Sequence, residues 1–265
     1  MSTIQYKDAT DTLSGPSPAI WSNCPVDMLL ARPDKGIYFF DDFNGGNILT
    51  NNQAETALGR FRAYTGATAG SDITDAGIVG GGIKLNSTTD NEGVAIRTLP
   101  CFKIAAGEGP LWFEARLKFN TITDSRQNAF VGLATGTAVS TSFPITTSDA
   151  MADSNFVGFQ KVFADGDALD STYKADGVTQ VTVGTDAVTL VADTFVKVGM
   201  YFDGSRLYFY KDGARLSDSK AITGTAGTDF PSDTVLGIVI GLMLGHGDDA
   251  ILTLDWVGCA QMRVA

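Results

Sequence analysis

Val196-Lys197-Val198-Gly199-Met200-Tyr201-Phe202-Asp203-Gly204-Ser205-Arg206-Leu207-Tyr208-Phe209-Tyr210-Lys211-Asp212-Gly213 decides the fold. Val196, Val198, Met200 and Phe202 recur with the two-residue period of a strand that buries one face. Asp203-Gly204 follows at once. A type I′ turn needs positive φ at both central residues, and Asp-Gly between alternating runs is a strong hairpin signal. Leu207 and Phe209 then return on one face, with Tyr208 and Tyr210 on the other. Asp212-Gly213 marks a second turn.

Strand signals continue outward from this hairpin. Leu111 to Phe119 alternates, with Leu111, Phe113, Ala115, Leu117 and Phe119 on one face. Trp112, Glu114, Arg116 and Lys118 form the other, which reads as a polar face. Ala129 to Ala134 and Asn155 to Phe163 read as strands, with a surface loop between them at 135–154. Val178 to Val183 and Ala187 to Val191 read as a short pair joined by Gly184-Thr185-Asp186. Val235 to Leu244 is apolar on both faces, as a central strand is, and Ile251 to Val257 is the last strong strand. Strands at this spacing, without a fixed repeat, predict an all-β fold: an antiparallel jelly-roll or lectin-like β-sandwich.

Residues 1–36 differ. Pro16, Pro18, Pro25 and Pro33 leave no room for a long helix. The segment reads as an extended N-terminal arm with one short helical turn, followed by a sandwich domain over residues 37–265. Its apolar side chains, Trp21, Met28, Leu29 and Leu30 among them, must be buried against their own domain or a neighbouring subunit.

The net charge of −11 argues against nucleic acid and anionic membranes as partners. The longest apolar run is too short to span a bilayer as a helix, and Met1 to Asp11 has no secretory-signal pattern. Cys24, Cys101 and Cys259 show no metal-ligand spacing and read as buried free thiols in a reducing cytoplasm. No cofactor and no metal are expected. Asp165-Gly166-Asp167 and Gly247-Asp248-Asp249 read as turns, because Asp and Gly dominate turns. Gly77, Gly80, Gly81 and Gly82 lack the Gly-Lys-Ser/Thr ending of a phosphate loop and read as a turn entering Ile83-Lys84-Leu85. His246 has no recognisable triad partner.

The opening Phe40-Asp41-Asp42-Phe43-Asn44-Gly45, the strand Leu111 to Phe119 with Val131-Gly132-Leu133, the paired strands around Asp203-Gly204, and the closing Leu252-Thr253-Leu254-Asp255-Trp256-Val257 together resemble concanavalin A-like (laminin-G-like) jelly-roll domains. The resemblance spans about residues 37–261 and implies that the last strand returns beside the first. Glycoside hydrolases of this fold carry an E-x-D-x-x-E signature on one strand, since glycosidic cleavage needs two carboxyl groups. This sequence has no such motif: Glu114 is followed on its own face by Arg116 and Lys118, and Asp255 beside Trp256 is a single carboxylate. On that ground no catalytic residue and no enzymatic activity are expected.

With its Pro-containing arm, the chain also resembles head decoration (cement) proteins of tailed bacteriophages. That resemblance implies a non-enzymatic virion protein made in the host cytoplasm. It would form a homotrimer on the outer capsid surface, partnered by the major capsid protein. Trp21, Met28, Leu29 and Leu30 would be its interface anchors. The alternative is a carbohydrate-binding, lectin-like module of a tail or surface adhesin. Trp112, Tyr201, Tyr208 and Tyr210 would then form a sheet-face contact or a platform for a glycan.

Overall fold

The computed structural model describes residues 14–44, 49–50, 56–65, 71–135, 154–223, 229–247 and 249–264. All but the ends of the loop expected at 135–154 lies outside these residues, as do the first 13 residues, Gly45 and Asp248.

Two short helices, α1 (Pro18–Trp21) and α2 (Val26–Ala31), and a 3-10 turn at Pro33–Lys35 open the described chain. The arm therefore holds more helix than one turn. Its prolines start these turns rather than bar them: Pro18 and Pro33 sit in the first turn, where a missing N–H costs nothing. The strands follow: β1 (Gly36–Asp41), β2 (Leu49–Thr50), β3 (Thr56–Leu58), β4 (Phe61–Thr65), β5 (Asp72–Asp75), β6 (Ile83–Ser87), β7 (Gly93–Arg97), β8 (Leu111–Phe119) and β9 (Gln127–Ala134). Then come β10 (Phe156–Val162), β11 (Asp165–Lys174), β12 (Val181–Thr189), β13 (Val196–Phe202), β14 (Arg206–Lys211), β15 (Ala214–Ala221), β16 (Gly237–Leu244) and β17 (Ala250–Met262).

They form two antiparallel sheets. The first runs β15-β14-β13-β8-β17-β6-β5-β2, with β1 also paired to β17; the second runs β12-β11-β10-β9-β16-β7-β4-β3. Between them lie Phe113, Leu117, Met200, Phe202 and Leu254 from one side and Val131, Leu133, Phe159, Ile238 and Ile240 from the other, all fully buried. The antiparallel sandwich is thus as expected, and β1 pairs with β17.

Four local expectations change. Val178 to Val191 is not a hairpin: Val181–Thr189 is one strand, paired with β11 and interrupted by irregular register, and Asp186 takes a positive φ of 51°. Its partner β11 begins at Asp165-Gly166-Asp167, which was read as a turn. Only Gly204 of Asp203-Gly204 has positive φ, while Asp203 Oδ1 accepts the amides of Ser205 and Arg206; the doubly positive turn is Asp212-Gly213. Cys101 is exposed, whereas Cys24 and Cys259 are buried, and burial pushes the Cys24 thiol up to about 12.

Lys161 carries a charge inside by plain alternation, on the inward side of β10 with Val157 and Phe159. The β10–β11 register shifts between Gln160 and Val162, and Lys161 pairs with the core residue Ala129 on β9. Its ammonium is fully buried, donates to Gln127 O at 3.2 Å and lies 5.9 Å from the Phe119 ring. Burial pushes its pKa down to about 8, against the opposing pull of Asp124, Asp165 and Asp167. An unfolded lysine titrates near 10.4. The fold therefore pays a charging penalty that is full below about pH 8 and fades as pH rises towards the unfolded value. Lys161→Met should stabilise the protein by about 1–3 kcal/mol at pH 7, and this gain should shrink by pH 10.5. Denaturant unfolding at the two pH values checks it; an equal gain at both would refute the assignment.

Candidate functional site

The outer face of the first sheet, expected to be polar, is largely sealed by the arm. Glu114 on β8 is flanked in register by two glycines, Gly199 on β13 and Gly258 on β17. A Cβ at Gly199 would overlap the Ile20 side chain, and one at Gly258 would press on Phe40 and Trp21. The glycines open a trough, and α1 seats in it. Ile20 and Trp21 are buried there with Cys24, Val26, Leu29, Trp112, Tyr210 and Ala260.

Glu114 is the polar centre of this contact. Its Oε2 accepts the Ser17 amide at 2.8 Å and the Trp21 indole N–H at 2.9 Å. Its Oε1 is buried without a hydrogen-bond partner, as is Trp112 Nε1. Burial raises the Glu114 pKa; the bonds from Ser17, the Lys197 charge and the Trp21 bond oppose it. Beside it, Arg116 pairs with Asp255 and lies 4.0 Å over the Phe195 ring.

The expected site residues divide accordingly. Trp21 and Leu29 are buried against their own sheet, Met28 is half-buried, and Leu30 is 63% exposed. Trp112 and Tyr210 are buried, leaving Tyr201 and Tyr208 half-exposed. Tyr201 stands opposite both Trp112 and Tyr208 in the strand register. Their rings make a row, with centroids 5.8 Å apart for Trp112–Tyr201 and 6.3 Å for Tyr201–Tyr208; the two tyrosines are stacked within 16° of parallel. Arg215 covers Tyr208 at 3.9 Å, and Tyr208 Oη donates to Asp203 at 3.1 Å.

The second sheet's outer face carries Phe130, Phe156, Val239 and Met243, all buried, with Tyr64 and Phe163 packed against them. Along β10 the outward positions are Phe156, Gly158 and Gln160, with no carboxylate among them. Gln160 accepts from Gln180 at 2.7 Å and stands opposite Asp170, whose carboxyl burial raises while the Asp186 amide, at 2.9 Å, opposes the shift. Asn128 on β9 is fully buried with neither amide atom bonded. These polar positions escape sequence reading because each sits singly in an apolar run; only the glycines flanking Glu114 hint at its trough.

No family model and no curated protein match the sequence. Solved structures do resemble the fold. One is the catalytic domain of an endo-1,3-beta-glucanase (laminarinase) from Thermotoga petrophila, 10% identical, TM-score 0.54, covering 85% of this chain and 97% of that one. Another is an endo-1,3-beta-glucanase from Streptomyces sioyaensis, 12% identical, TM-score 0.54, covering 85% and 96%. A third, from Mycobacterium tuberculosis, is described as an immunostimulatory antigen and pseudo beta-1,3-glucanase; it is 16% identical, TM-score 0.53, covering 86% and 98%. At these identities the likeness shows the concanavalin A-like sandwich fold. It also corrects two expectations. The reading as a phage capsid decoration protein gives way, because the structurally similar proteins named above are described as glucanases. The reading as a non-enzymatic chain is overturned by the same neighbours.

The Glu114 contact sets a pH dependence. A carboxyl whose folded pKa is raised lends stability at low pH and loses it as pH rises through the folded value. Glu114→Gln keeps an acceptor for Ser17 and Trp21 without the charge. Its Tm should exceed the wild type's by roughly 2–4 °C near pH 8 and by less near pH 4. A constant difference across that range would refute it.

Proposed function

We propose that the chain is a carbohydrate-active protein that engages a glucan-type polysaccharide, with Tyr201 and Tyr208 as its stacking surface. The observation that carries this reading is the row Trp112–Tyr201–Tyr208, ending in two half-exposed parallel rings. Aromatic rings pack against the C–H faces of sugar rings, and a rigid row presents its exposed flank at low entropic cost, with Arg215 already covering one face of Tyr208. Trp112 backs the row from beneath the arm, and Asp203 and Arg215 fix the Tyr208 ring. The glucanase names of the structurally similar proteins supply the polymer class.

Cleavage of such a polymer needs an acid and a second carboxylate. Glu114 is held under α1 by Trp21 and Ser17, and the residues that follow it on its own face of β8 are Arg116 and Lys118, not a second acid.

Affinity electrophoresis through gels containing a soluble β-1,3-glucan, with reducing-end release measured in parallel, tests the proposal. The wild type should be retarded. Tyr201→Ala and Tyr208→Ala should each weaken retention by about 2- to 10-fold, the worth of one aromatic contact. A wild type that neither slows in such gels nor releases reducing ends would overturn the reading.

A further inference from the structure

A second feature lies at the rim of the sandwich, where the end of β1, the β3–β4 turn and the start of β6 meet. A cavity of about 190 Å³ opens there, lined by Phe43, Phe61, Asp41, Asn44 and Arg60 among others. Resting on the carbohydrate-active reading above, we propose that this cavity is a binding site for one neutral pyranose ring, such as the end residue of a glucan chain.

The floor is aromatic. Phe43 and Phe61 are stacked with centroids 5.3 Å apart, and Phe61 meets Phe39 edge-on at 5.3 Å. Polar groups of both signs stand around that floor. Asp41 uses Oδ1 to accept the Phe43 amide at 2.9 Å, and its other oxygen remains. Arg60 lies over Phe39 at 4.1 Å and donates to Phe40 O at 2.7 Å from one nitrogen of its fork. Asn44 is exposed at the mouth. A carboxylate, an amide and a guanidinium around an aromatic floor suit a ligand with an apolar face and a rim of hydroxyls. The opposed charges of Asp41 and Arg60 disfavour an anion or a cation. The volume is below the roughly 300 Å³ from which drug-sized sites begin, so a single ring is the natural occupant.

The backbone supports this reading. Phe43 has a φ of 56°, a left-handed conformation costly for a bulky residue. Such strain persists only where the surroundings enforce it, and it clusters at ligand-binding positions. Here the Asp41 cap enforces it. Gly81 does so too, with no side chain in the space against Asp42 O. The strained turn sends the Phe43 ring onto Phe61 instead of outward.

Calorimetric titration with a β-1,3-linked glucose disaccharide tests the site. Phe43→Gly removes the ring and suits the positive φ; Arg60→Ala removes an exposed donor. Both should bind at least about tenfold more weakly than wild type; Phe43→Gly also lowers the melting temperature by removing a ring packed on the core, whereas Arg60→Ala changes it little. If Phe43→Gly fails to fold, Arg60→Ala decides. Undiminished disaccharide binding in a folded variant overturns the site. So does a wild type that ignores the disaccharide: if it is still retarded by the polymer, the site alone falls, and if it is not, the carbohydrate reading falls too.

Discussion

The first sheet hangs on β17. This strand pairs with β8 from Leu252 to Gln261, with β6 from Ala250 to Leu254, and with β1 from Val257 to Met262. One strand thus serves three neighbours, and it does so by breaking step: the register shifts between Leu254 and Trp256, with Asp255 in between, paired to Arg116. Because β1 closes on β17, the sandwich is complete only when the two ends of the domain meet. Among the strand pairings of the described residues this is the most non-local, and non-local pairing is slow to form. It also fixes where the arm lands, since α2 and the 3-10 turn lead directly into Gly36. A Cβ at Gly36 would overlap both Gln261 O and the Leu29 side chain, so this glycine lets arm and sheet approach together.

Once landed, the arm answers for polar groups that the sheet has buried. Glu114 on β8 takes the Ser17 amide, Lys197 on β13 donates to Gly15 O at 3.1 Å, and Trp256 on β17 donates to Ser14 O at 2.6 Å. Three strands are therefore each met by the arm backbone at Ser14, Gly15 or Ser17. An unmet buried donor or acceptor costs about 1–3 kcal/mol, so these bonds fix the arm's register more sharply than Ile20 and Trp21 do by burial alone. The orphaned Glu114 Oε1 and Trp112 Nε1 mark where this accounting stays incomplete.

The strands were legible because their signal is local. Leu111 to Phe119 and Val196 to Phe202 alternate cleanly, and their boundaries match the sequence reading. The failures have physical causes. Alternation identifies two faces of β8 but not what covers the second, so Glu114 and Trp112 read as a wet surface when the arm makes it dry. β12 was split in two because Gly184 and Asp186 carry turn chemistry, yet pairing with β11 overrides it. Lys161 continues the inward alternation of Val157 and Phe159, in unbroken register with β9; it escapes a sequence reading because a lysine near a strand end is expected to face water. The rim cavity was equally hidden: Phe43 and Asn44 were read as a fold signature, and their meeting with Arg60 and Phe61 depends on a turn 16 residues further on in the chain.

Burial of both outer faces constrains any ligand. An open sheet face is the usual place for a polymer to lie, but here α1 occupies the first, and Phe130, Phe156 and Val239 on the second are fully buried. Half-exposed aromatic rings remain at the margins. Tyr201 and Tyr208 emerge where the arm stops covering β13 and β14, and Phe43 lines a cavity where the two sheets part. On the reading proposed above, a glucan would stack at these margins, with affinity set by a few rigid aromatic anchors more than by area. Deeper engagement of the first face must displace Trp21 from Glu114. Water would replace both donors of the exposed carboxyl, so the resistance to this step lies in re-exposing the apolar surface of Ile20 and Trp21.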